Sequence, residues 1–194
     1  VATVETIVQV GAVPVFVDVI ENTFDINPDL IEAAITPRTK AILPIHLFGQ
    51  LCDMPAIMDI ARRHNLMVLE DAAQAIVTSQ DGVMAGGFGI CAGVSFYVTK
   101  NLGAAGDGGL LLTNDDEVAR RSKSLRVHGM GRERYYYDEI GYTSRMAELQ
   151  AAVLCAKLTR LDAWNERRAE IAERYQAALA DSSYDIPYIP PNNE

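Results

Sequence analysis

Lys100 ends a short apolar run, Val94-Ser95-Phe96-Tyr97-Val98-Thr99, and opens a glycine-rich turn that extends to Gly109. A second apolar run, Leu66-Met67-Val68-Leu69, ends in Glu70-Asp71-Ala72-Ala73-Gln74. Two expected strands therefore deliver an amine and a carboxylate to loops at their C-terminal ends, the edge where open α/β sheets bind ligands. A lysine that forms a Schiff base and an aspartate facing a pyridinium nitrogen are the minimum protein parts for pyridoxal 5'-phosphate (PLP) chemistry.

Each of these residues also has a plainer use. A lysine after a strand is most often a solvated loop charge. Here the glycines that follow Lys100 permit close ligand approach, and a Schiff-base lysine must present its neutral amine. Asp71 suits an Asx turn; as a ring partner it would keep the pyridine nitrogen protonated and make the ring an electron sink. Glu70 points the opposite way if the strand continues, so it is not assigned that role. Gln74 either donates to the ring phenolate or starts a helix. Ser95 is either a core hydroxyl or a donor to the cofactor phosphate. His46 follows a strand and either lines the site or is structural, His64 is expected at the surface of a helix end, and His128 lies in a loop. The glycine cluster at 106–109 lacks the Lys-Ser or Lys-Thr of a P-loop and the GxGxxG spacing of a dinucleotide site. No carboxylate–histidine spacing points to a catalytic metal.

The elements that must position these groups alternate. Helices are expected over residues 2–10, with Thr3 as N-cap and Gly11 as stop, then over 28–35, 55–64 and 115–125. Strands are expected over 13–17, 41–45, 66–69, 94–97 and 110–112. Alternation of this kind predicts an α/β fold with a mostly parallel sheet flanked by helices. From Ser144 to about Ala180 the pattern is helical without Gly or Pro, with an apolar stripe of Met146, Leu149, Val153, Leu154, Leu158, Leu161 and Trp164. One long helix is expected there, with a heavily charged second half. Residues 1–143 read as a core, 144–180 as that helix and 181–194, with Pro187, Pro190 and Pro191, as a linker.

The chain has 194 residues, enough for one domain with a core, and a formal charge of −9. That charge argues against a nucleic-acid partner. No apolar stretch is long enough to span a bilayer and no signal peptide opens the chain, so a cytoplasmic protein is expected. Three scattered cysteines, Cys52, Cys91 and Cys155, read as buried free thiols. The first residue is Val1 and the last stretch is proline-rich, so a fragment of a longer protein is expected.

Taken together, the segments resemble the DegT/DnrJ/EryC1/StrS family of PLP-dependent sugar aminotransferases, of the aspartate-aminotransferase fold. The resemblance rests on residues 14–18, Pro44-Ile45-His46-Leu47-Phe48-Gly49-Gln50, Glu70-Asp71-Ala72-Ala73-Gln74-Ala75, Ser95 through Gly103, Gly106-Asp107-Gly108-Gly109, and Gly141 through Gln150, in family order. It implies that Lys100 is the Schiff-base lysine, Asp71 the pyridinium partner, Gln74 the residue near the phenolic oxygen and Ser95 a phosphate ligand. It also implies amino transfer from glutamate or a similar donor to a keto group on a nucleotide-linked sugar, in a homodimer. The family's Gly-x-Asn-x-Arg stands here as Gly141-Tyr142-Thr143-Ser144-Arg145, which puts Thr143 where an asparagine reaches the neighbouring subunit's phosphate. Thr143 or Ser144 also reads as a cap for the helix that follows. The alternatives within the resemblance are a cyclitol aminotransferase, an aromatic amino acid synthase, a sugar dehydratase or a non-catalytic regulatory relative. The dehydratases carry histidine where Lys100 stands.

Overall fold

Asp53 begins the unit that builds the sheet. Its side chain accepts the backbone N–H of Ala56, and Pro55 follows in the first turn, so helix α3 (Met54–Arg63) starts where both signals fall. Ahead of it lie α1 (Ala2–Gln9), α2 (Pro28–Ala34, capped by Asn27) and strand β1 (Ala41–Ile42). After it come β2 (Met67–Asp71), β3 (Ser79–Gln80), β4 (Val83–Met84), β5 (Cys91–Ser95) and β6 (Gly109–Leu112). Three helices close the order: α4 (Asp116–Leu125), α5 (Glu148–Leu158) and α6 (Leu161–Leu179). This computed structural model describes residues 1–133, 135–186 and 188. The proline-rich linker expected near the C-terminus falls mostly outside them.

The main sheet runs β1-β2-β5-β6, with the first three strands parallel and β6 antiparallel to β5. The mostly parallel α/β sheet expected from the sequence is present. Helix α3 makes the crossover from β1 to β2, while the connection from β2 to β5 carries the small β3–β4 hairpin. The core has three parts. Ile31, Ile42, Met54, Ile57, Ile60 and Val68 pack α2 and α3 on the sheet. Leu51, Ala72, Ala75, Ala85 and Ala92 fill the space beneath the hairpin. Phe96, Leu102, Ala104, Leu154 and Leu161 join the Lys100 turn to α5 and α6.

Several expectations need correction. Residues 13–17 form no strand; Val13, Val15 and Phe16 are exposed, and a β-branched run without a neighbour to bond is not held in a sheet. Thr3 does not cap α1, whose N-cap is Val1; Gly11, at φ +76°, does follow the helix as a stop. The single helix expected over 144–180 is two, broken at Thr159 and Arg160. Neither Thr143 nor Ser144 caps α5, whose N-cap is Ala147. Of the apolar stripe expected over 146–164 only Leu154 of α5 and Leu161 of α6 are buried, while Leu149 and Leu158 face outward. Cys52 alone of the three free cysteines is buried; Cys91 is half-buried and Cys155 exposed on α5.

Candidate active site

The candidate residues lie at and beyond the C-terminal ends of β2 and β5. Parallel register pairs Asp71, the last residue of β2, with Gly93. Register partners share a face, and Ser95 lies two residues further along the same face. Gly93 has no Cβ, and no described atom lies within 4 Å of where one would stand. Open space therefore fronts the strand beside the Asp71 carboxylate. A glycine inside a strand often marks such an approach, and Gly93 is the one sequence signal for this space.

Asp71 is held from several sides. Its backbone N–H donates to Pro44 O at 2.9 Å and its carbonyl accepts from His46 N at 3.0 Å, which extends the line of β1 past Ile42. Its Oδ1 accepts from Ala73 N at 3.1 Å, which is the Asx turn anticipated from the sequence. Its Oδ2 accepts from the Thr3 hydroxyl at 2.6 Å, across 68 residues of chain. Nothing in the sequence near Thr3 announces that contact.

Ser95 ends β5, and its Oγ accepts the N–H of Tyr97 at 3.2 Å. Among the described residues no acceptor takes its hydrogen. The chain then turns, with Lys100 N donating to Tyr97 O at 2.8 Å. Lys100 is half-buried, and no described residue hydrogen-bonds to its Nζ. The turn behind it is gripped from α5: Lys157 Nζ donates to Gly103 O at 2.6 Å and Gln150 Oε1 accepts from Ala105 N at 2.8 Å. Asn101 Nδ2 donates to Asn165 Oδ1 on α6 at 3.0 Å. A Cβ on Gly103 would stand 2.4 Å from Val98 O, so the tight return requires glycine.

Gln74 is exposed, and no helix starts there; its Oε1 accepts from Phe48 N at 2.7 Å, leaving its amide hydrogens for another acceptor. Phe48 adopts φ +59° in a 3-10 turn over Leu47–Gly49. Thr143 bonds within its own loop, to the His128 ring at 3.4 Å, and shares no hydrogen bond with Asp71, Gln74, Ser95 or Lys100.

The opposite face of β2 carries Glu70, as alternation requires. It is buried and accepts from His46 Nε2 (3.0 Å), Gly86 N (2.7 Å), Phe88 N (3.0 Å) and Gly89 N (2.6 Å). His46 Nδ1 accepts from Cys52 N, so the ring carries its hydrogen on Nε2. His46 is thus structural. Burial pushes the Glu70 carboxyl up, but the bonds from His46, Gly89 and Gly86 outweigh it and leave it below the usual carboxylate range. Nearby, burial raises Asp25 against bonds from Gln50, Thr23 and Cys52. Burial and Asp25 together push the Cys52 thiol far up, so it is no nucleophile.

A lysine amine with no hydrogen-bond partner among the described residues follows the end of β5, and a carboxylate pinned beside open space and a serine hydroxyl stand on the edge of β2 and β5. The profile of the DegT/DnrJ/EryC1/StrS aminotransferase family matches residues 1–194. The chain belongs to the DegT/DnrJ/EryC1/StrS aminotransferase family. Among its relatives is a "pleiotropic regulatory protein" of Geobacillus stearothermophilus, 49% identical over 97% of this chain and 50% of its own. Another is a dTDP-3-amino-3,4,6-trideoxy-alpha-D-glucose transaminase of Micromonospora megalomicea, 47% identical over 99% of this chain and 52% of its own. The crystal structure of NtdA from Bacillus subtilis with bound cofactor PMP superposes with a TM-score of 0.90, at 35% identity, over 98% of this chain and 44% of that one. The chain spans about half the length of these two curated relatives.

Proposed function

We propose that this chain is the large, cofactor-binding domain of a PLP-dependent aminotransferase, acting on a keto group of a nucleotide-linked sugar with glutamate or a similar donor. One observation carries the reading: Asp71, the open space at Gly93, Ser95 and the Lys100 turn lie on one edge of two adjacent parallel strands. The residues fit the cofactor, since the space beside Asp71 is what a flat ring needs and a cationic ring nitrogen suits a carboxylate. When bound, PLP supplies an electron sink for the pair left at the substrate's α-carbon. Asp71 would face the ring nitrogen, the Gln74 amide the phenolic oxygen, and the Ser95 hydroxyl the phosphate. Lys100 Nζ would hold the cofactor between turnovers, then carry the proton between the substrate α-carbon and the cofactor's C4′. Its position at the mouth of a tight, helix-gripped turn supports that role, because a proton carrier must be placed to a fraction of an ångström.

Thr143 would reach the phosphate of a neighbouring subunit, which makes the working unit a homodimer. The domain would end near residue 143, with α5 and α6 leading toward a second, smaller domain. Free cysteines support a cytoplasmic setting, and no described helix is long and apolar enough to cross a membrane. The similarity to a protein named as a regulator supports a second reading, a non-catalytic relative that keeps the fold. Borohydride reduction of the full-length protein with PLP, followed by peptide mapping, separates the two. Label on Lys100, lost with transamination in Lys100→Ala, is the expected result. Label on a different lysine, or a labelled protein without amino transfer to any nucleotide-linked keto sugar, sinks the catalytic assignment.

A further inference from the structure

We infer that Thr3 is a positioning residue for Asp71, holding that carboxylate toward the cofactor's ring nitrogen; the inference rests on the reading of Asp71 given above. Thr3 lies in the first turn of α1, and its hydroxyl donates to Asp71 Oδ2 at 2.6 Å. An ionised carboxylate only accepts, so the direction of this bond is fixed. Ala73 N takes the other oxygen at 3.1 Å. One donor on each oxygen fixes the carboxylate against rotation while each oxygen keeps a second lone pair free for a cation.

The contact is not a by-product of core packing. No described residue of α1 is buried, and the helix has no side-chain cap. Yet its threonine reaches, across 68 residues, the side chain whose register partner is the open glycine. Donors that fix a charged group before its partner arrives spare the reorganisation that would otherwise accompany each turnover. Thr6, one turn on, donates to Thr3 O at 2.8 Å and steadies the residue that makes the bond.

The test uses the full-length holoenzyme loaded with PLP labelled with 15N in the ring. Thr3→Val removes the hydroxyl and keeps the shape; Thr3→Ser keeps the hydroxyl. In Thr3→Val the ring 15N signal should move toward the unprotonated position, and kcat should fall about 10- to 100-fold, the range lost with a hydrogen bond to a charged group. KM should stay within about twofold, because a bond to the cofactor's partner is not a bond to substrate. Thr3→Ser should restore both signal and kcat, with the thermal midpoint unchanged across the series. If Thr3→Val does not fold, Thr3→Ala takes its place. A wild-type signal and kcat in the hydroxyl-free variant overturn the proposal, and so does failure of serine to restore them. If Asp71→Asn itself leaves the ring nitrogen protonated, the reading of Asp71 fails first and the role of Thr3 falls with it.

Discussion

Two neighbouring carboxylates leave β2 on opposite faces and have different surroundings. Asp71 stands at an open edge, while Glu70 is buried under four donors that include the His46 ring. Because the folded Glu70 carboxyl lies below its ordinary range, its contribution to stability is complete above the unfolded value of about 4.3. It is lost as pH falls through the lower, folded value. Glu70→Gln should therefore be less stable at neutral pH by about 1–3 kcal/mol, and the gap should narrow in acid. Thermal melts of both proteins across that range check this. A gap that stays constant down to strongly acidic pH would mean that shape, not charge, sets the cost.

At the scale of elements, the turn after Lys100 is where strand and helix meet. Lys157 and Gln150 of α5 hold the backbone of Gly103 and Ala105, and Leu154 packs against Phe96 and Leu102. A methyl group at Gly103 would collide with the carbonyls of Val98 and Tyr97, which are backbone and cannot swing aside. Gly103→Ala should shift the turn and carry Lys100 with it, lowering borohydride labelling of Lys100 more than tenfold while the fold survives, since misplacement near 1 Å costs rates on that order. Peptide mapping and circular dichroism measure the two halves. Full labelling would show that the turn tolerates the shift.

At the scale of the whole molecule, apolar surface is left uncovered. Leu110 and Leu111 of the edge strand β6 are 49% and 45% exposed, and Val13, Val15 and Phe16 more so. An edge strand with apolar side chains on both faces is a template for association, and a formal charge of −9 opposes it only at long range. Residues 1–194 expressed alone should self-associate and bind PLP weakly. Light scattering and a PLP titration test this, and a monodisperse monomer with saturable micromolar affinity contradicts it.

The sequence by itself determined where chemistry could sit. The apolar run before Asp71 ends as strand β2 at that residue, whereas β5 covers Cys91–Ser95 instead of 94–97 and stops five residues before Lys100. The helices expected from residues 28, 55 and 115 start within one residue of those positions, after Asn27, Asp53 and Asp115. Those signals are local: a period, a cap or a stop acts within a few residues. The Asp81-Gly82 pair of the β3–β4 hairpin, absent from the expectations above, is an equally local signal, with positive φ at both residues. What only the tertiary structure decided is long-range. Residues 13–17 have strand composition but no strand to bond, so propensity there led nowhere. The stripe at 144–180 has helical period throughout, yet the break at Thr159 and Arg160 lets Leu154 and Leu161 enter one core cluster. His46 could have lined the site until burial beside Glu70 made it structural. The bond from Thr3 to Asp71 joins residues 68 apart, and no pattern in a one-dimensional string encodes which hydroxyl will meet which carboxylate once the chain has closed on itself.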